Sequence, residues 1–145
     1  MEYKQLSNGA KIPVTGLGTW GIGGYFETDI SHKKEEVQTI REAIKLGFAH
    51  IDTAEIYGKG QTEKIVGLAI KKFDRKRLFI ATKVWKDNLH YNDVIESLEN
   101  SLKRLQTDYI DLYIIHGPNQ DIPIKETMEA MEYLAEKCKI KAIGV

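Results

Sequence analysis

An acid, a phenol, an amine and an imidazole stand out in this chain: Asp52, Tyr57, Lys83 and His116, carried in the segments IDTAEIYG, IATKVW and IDLYIIHGPN. Together they suit the reduction of a carbonyl, where hydride arrival leaves negative charge on oxygen and a positioned proton donor lowers the barrier. Tyr57 is the candidate general acid. An ordinary phenol, with a pKa of ~10, releases its proton reluctantly at neutral pH, and an ammonium beside it stabilises the phenolate left behind. At ~4 Å and an effective dielectric of ~20 that attraction is ~4 kcal/mol, an upper figure. Lys83 is the candidate ammonium, and Asp52 the carboxylate that keeps it charged in a partly dry pocket while offsetting part of its field. His116 can orient or polarise the carbonyl through a ring N–H. Taken singly, the four read equally well as a turn cap, a core aromatic, a solvated strand end and a buried histidine. Their joint order is what argues for a site.

A scaffold that returns strand ends to one mouth would bring them together. β-rich runs at 48–53, 78–83, 109–116 and 140–145 alternate with segments of helical apolar spacing. The helical faces are Val37, Ile40 and Ile44, ended by Gly47; Val66, Ile70 and Phe73; Val94, Leu98, Leu102 and Leu105; and Ile124, Met128, Met131 and Ala135, with Pro123 suited to a first helical turn. Runs such as IDLYII are apolar on both faces apart from single acids, which suits parallel strands buried between helices and an interior. Strand ends at Trp20, Asp52, Lys83 and His116 recur with gaps of 32, 31 and 33 residues. This is a repeated βα, α/β architecture. Ahead of it, YKQLSNGAKIPV reads as a β-hairpin around Ser7-Asn8-Gly9, because Asn-Gly favours the tight turn of paired strands.

These segments, with GLGTW, GFAHIDTAEIYG, FIATKVW, SLKRLQTDYIDLYIIHGPN and KIKAIGV, resemble the aldo-keto reductase family along essentially the whole chain. The resemblance implies a (β/α)8 TIM barrel whose bottom the hairpin closes. It implies an NAD(P)H-dependent oxidoreductase that reduces aldehydes or ketones to alcohols, with NADP (NADPH) bound in extended form. Asp52, Tyr57, Lys83 and His116 would be its catalytic residues. Gly18, Thr19, Trp20 and Asp52 would lie against the cofactor, and Trp20, Trp85 and His116 against the substrate. Many relatives carry Trp after the histidine, and Gly117 here implies a wider pocket. The same scaffold also serves as a regulatory subunit, as in potassium-channel β subunits, and an inactive half-barrel module is a further alternative.

A full barrel takes ~250 residues. With 145 residues and the fifth strand end due just past Val145, residues 1–145 are expected to be a truncated, incomplete half-barrel lacking the later cofactor loops. Its open strand edges and apolar interior face are expected to favour self-association.

Other patterns carry less. Gly16 to Gly21 fits G-x-G-x-x-G, but helical periodicity begins only after Ser31, so no helix opens on the motif and a Rossmann site is not expected. Gly58-Lys59-Gly60 lacks the tail of a P-loop. No Cys/His cluster has metal-ligand spacing, and His32, His50 and His90 read as surface or packing residues. KKEE and KKFDRKR read as solvated stretches, and the single Cys138 as structural filler. A formal net charge of zero, from 21 basic and 21 acidic residues, gives no attraction to nucleic acid. The first residues lack signal-peptide character and no run approaches the ~18 apolar residues of a membrane span. A cytoplasmic protein acting on a small-molecule carbonyl is the expectation.

Overall fold

The computed structural model describes residues 2–6 and 9–145. The chain opens with a hairpin of two antiparallel strands, β1 (Tyr3–Gln5) and β2 (Lys11–Pro13), with Tyr3 opposite Pro13. Of the expected turn, Ser7 and Asn8 lie outside the described residues, while Gly9 has φ 85°. Five parallel strands follow: β3 (Gly16–Gly18), β4 (His50–Asp52), β5 (Phe79–Val84), β6 (Leu112–Ile115) and β7 (Ile143–Gly144). Helices α1 (Lys33–Lys45), α2 (Gln61–Ile70), α3 (Tyr91–Leu105) and α4 (Ile124–Glu136) alternate with them. The sheet order is β3-β4-β5-β6-β7, each strand beside its predecessor. That unidirectional winding belongs to a (β/α) barrel, whereas a doubly wound sheet reverses its order at a switch point. After β3 the chain enters no α-helix until Lys33, so the glycine motif is no dinucleotide fingerprint.

Register sorts the side chains into two faces. Gly18 is opposite Asp52, Asp52 opposite Ala81, and Lys83 opposite Ile114. Side chains two apart share a face, so Asp52, Lys83 and Ile114 share one, which His116 continues just past β6. The other face carries Ile51, Ile80, Thr82 and Tyr113, all with no exposed surface, against the helices. Into them α3 drives Val94, Leu98, Leu102 and Leu105, every one buried. Glycine's tolerance of positive φ ends α1 at Gly47, where φ is 103°.

Some boundaries differ from the sequence pattern. Strand β4 is His50–Asp52 within the run 48–53, because Phe48 is still in the turn leaving α1. Phe73 lies beyond the end of α2. In α4 the buried stripe is Thr127, Ala130, Met131 and Leu134, and Ile124 in the first turn is 58% exposed. Cys138 is exposed at φ 57° just past α4, so it fills no core space.

KKFDRKR is not simply a solvated stretch either. Arg75 donates to the carbonyls of Leu78 and Tyr109 and to Thr107, and pairs with Asp111 at 2.7 Å. Asp111, almost fully buried, also accepts from the Ile80 amide and from Lys141, so one carboxylate ties the starts of β5, β6 and β7. A second buried network links α2, β5 and α3. Glu63, with no exposed surface, accepts from Thr82 Oγ1 at 2.6 Å and Arg104 Nε at 2.6 Å, and Arg104 also donates to Ser101. Burial pushes the Glu63 carboxyl pKa up, with Arg104 pulling it back. Removing one partner of such a pair strands a charge in the interior. Arg104→Met should therefore cost ~3–5 kcal/mol in urea unfolding, and adding Glu63→Gln should recover part of the loss.

Candidate active site

Past its last paired residue, β4 keeps bonding to β5. The Thr53 amide donates to the Ala81 carbonyl and the Glu55 amide to the Lys83 carbonyl. The chain then turns at Tyr57, where Gly58, Lys59 and Gly60 all have positive φ (53°, 53° and 83°). Gly58 is needed at this spot: its amide donates to the Tyr25 carbonyl at 2.6 Å, and a side chain would strike the Gly23 carbonyl. Thr28 Oγ1 in turn donates to the Gly58 carbonyl. The long loop between β3 and α1 thus clamps the tyrosine turn.

Lys83 is the hub. Its Nζ donates to Asp52 Oδ2 at 2.8 Å, to the Thr53 carbonyl at 2.9 Å and to Tyr57 Oη at 3.3 Å. Three donors meet three acceptors, all that an ammonium can satisfy. Because Tyr57 Oη accepts from lysine, its own proton is left for another acceptor. The lysine side chain is 12% exposed and its partner Asp52 37%, so water screens the pair in part, from the carboxylate's side.

Four rings line the mouth edge to face: Trp20 on Tyr57 at 4.7 Å, Tyr57 on His116 at 5.5 Å, and Trp85 on His116 at 5.3 Å. Tyr25 and Phe26 add edges to Trp20. Burial, then Lys83, hold the His116 pKa below 6.5 against the opposite pull of Asp52 and Glu55, so the ring is neutral at pH 7. Its Nδ1 is buried without a hydrogen-bond partner among the described residues. A buried unpaired acceptor is tolerated better than an unpaired N–H, which favours the tautomer with its proton on Nε2, available to a carbonyl oxygen.

The structure therefore gathers Asp52, Tyr57, Lys83, His116, Trp20 and Trp85 at one end of the sheet. Thr19 stands apart in kind, since its hydroxyl and amide both donate to the Asp52 carbonyl and its side chain is buried. Gly18 is exposed, with nothing within 4 Å of where a side chain would begin. Sequence reasoning passed over Glu55, whose Oε1 accepts from the Trp85 amide at 2.6 Å and from Asn88 at 3.0 Å. A carboxylate between Asp52 and Tyr57 in an otherwise apolar segment was the available signal. At the opposite end, a cavity of about 720 Å³ lies between the hairpin and the strand starts, lined by Tyr3, Lys11, Pro13, Leu78 and Phe79 among others. Among the described residues no cluster of His, Cys, Asp or Glu could hold a metal ion, and no helix is long and apolar enough to cross a membrane.

Comparison with known proteins gives relatives for the sequence and for the fold. The family model described as "Aldo/keto reductase family" matches residues 15–145. Aldo-keto reductase YhdN of Bacillus subtilis is 47% identical over 157 residues, a match covering 100% of this chain and 46% of the relative. The structure of the thermostable aldo-keto reductase Tm1743 with the inhibitor epalrestat superimposes with a TM-score of 0.97 at 53% identity, covering 100% of this chain and 53% of that one. An aldo/keto reductase from Klebsiella pneumoniae in complex with NADP and acetate gives a TM-score of 0.86 at 41% identity, covering 94% of this chain and 46% of that one. The chain spans about half the length of the curated relatives it matches.

The depressed His116 pKa sets a pH dependence. A histidine that protonates less readily when folded adds stability that is complete above 6.5 and is lost as pH falls through the folded value. NMR titration of its C2–H should give a midpoint below 6.5, and Lys83→Met should move that midpoint upward by removing a positive neighbour.

Proposed function

Since the chain belongs to the aldo/keto reductase family, we propose that residues 1–145 form part of an NADPH-dependent oxidoreductase domain that reduces aldehydes or ketones to alcohols. The observation that carries this reading is the Lys83 ammonium, bonded at once to Asp52 Oδ2 and Tyr57 Oη. In it, Tyr57 donates a proton to the carbonyl oxygen, Lys83 stabilises the phenolate that remains, and Asp52 keeps Lys83 charged and aimed. Neutral His116 orients the same oxygen through its ring N–H. Trp20 and Trp85 form walls that exclude water and hold the substrate.

The nicotinamide supplies the hydride when bound. The fit is supported by Gly18, whose exposed main chain leaves an open space beside Asp52 where a flat ring could lie. Thr19 contributes by fixing the turn that carries Trp20, through its two bonds to the Asp52 carbonyl. Gly117, also with nothing within 4 Å of where a side chain would begin, supports a pocket wider than one with tryptophan there. A cytoplasmic setting and a small-molecule partner go with this reading.

The test is NADPH oxidation with a panel of aldehydes. Tyr57→Phe should lower kcat by ~10²–10⁴-fold, the usual contribution of a positioned acid, with cofactor affinity unchanged. Equal rates for parent and variant would reject Tyr57 as the acid. Cofactor binding without turnover by the parent would favour the regulatory alternative.

A further inference from the structure

The loop after β5 is held from both neighbouring strand ends. It leaves Val84 as a single 3₁₀ turn, Lys86–Asn88, in which the Asn88 amide donates to the Trp85 carbonyl at 2.9 Å. From the β4 side, one oxygen of half-buried Glu55 accepts both the Trp85 amide and the Asn88 side-chain amide. From the β6 side, Asn119 Nδ2 donates to the Lys86 carbonyl at 2.9 Å. The indole Nε1 donates to Asp87 Oδ2 at 3.1 Å, and the ring lies 5.3 Å from His116.

A partly desolvated carboxylate holding a main-chain amide at 2.6 Å is a strong, charge-assisted bond. Its hydrogen bonds are confined to the turn. Glu55 makes no bond to Lys83 Nζ or Tyr57 Oη, so losing its side chain leaves the ammonium's three acceptors in place. What it would release is the Trp85 amide, and with it the angle of the indole against His116.

We propose that Glu55 is a positioning residue for the substrate wall: its carboxylate fixes the Trp85–Asn88 turn, and that turn sets where the indole stands against His116 and so the shape of the wall that the carbonyl substrate meets. This rests on the carbonyl-reduction reading above. The residue acts on substrate binding and not on proton transfer. Its loss therefore appears in KM, whereas loss of a group that works only in the transition state appears in kcat. Glutamine retains a carbonyl oxygen for both donors and should substitute.

The experiment compares parent, Glu55→Ala and Glu55→Gln with NADPH and an aromatic aldehyde. Glu55→Ala should raise KM at least about fivefold with kcat within about twofold of the parent, and Glu55→Gln should stay within about twofold on both. Acrylamide quenching of Trp85 emission, read in a Trp20→Phe background, should rise in Glu55→Ala and hold steady in Glu55→Gln. Unchanged KM and quenching in the alanine variant, or equal damage in both variants, would overturn the proposal. Absence of NADPH-dependent turnover in the parent would instead sink the functional reading, and the quenching comparison would still decide whether Glu55 anchors Trp85.

Discussion

The Lys83 ammonium has three protons to donate, and neighbouring strand ends take all of them: the Asp52 carboxylate, the Thr53 carbonyl and the Tyr57 phenol oxygen. An ammonium with so little contact with water needs such acceptors already in place around it. The condition is met by register. With Asp52 opposite Ala81, the lysine two residues further along β5 sits on the same face and reaches back to the carboxylate. A slip of one residue would send Lys83 to the helix side and dismantle the site at a stroke.

Much of the remaining structure can be understood as holding that register. Asp111 ties the starts of three strands, Glu63 and Arg104 bind β5 to two helices, and the apolar stripe of α3 presses on the sheet from behind. On the mouth side, the turn with three positive-φ residues delivers Tyr57, and the loop from Gly21 to Asp29 braces it through the Gly58 amide and carbonyl. Hydrophobic packing fixes where the strands lie. Polar groups then choose among the closely similar arrangements that packing alone would allow.

The alternating pattern and the four site residues were legible in the sequence because each left a periodic mark: strands about one βα unit apart, with a polar residue interrupting an apolar run at each end. Helix α3 could be read residue by residue for the same reason. Glu63, Arg75 and Arg104 could not, since a charged residue in a helix or loop looks identical whether it faces water or a partner distant in sequence. Glu63 meets Arg104 across 41 positions, and no local pattern announces that. In α4 Met131 is buried and Met128 and Ala135 pack against the core as the apolar pattern has it, but Ile124 is exposed while Thr127 is buried and donates to the Leu89 carbonyl, so hydrophobicity alone misplaced the start of the stripe.

On this geometry Lys83 acts through Tyr57. A double-mutant cycle on the single-turnover rate of NADPH oxidation, using Tyr57→Phe, Lys83→Met and the pair, addresses it directly. If the ammonium works by supporting the phenol, the double variant should be no slower than Tyr57→Phe alone, within about threefold. Losses that multiply would show the two side chains acting independently and contradict the account.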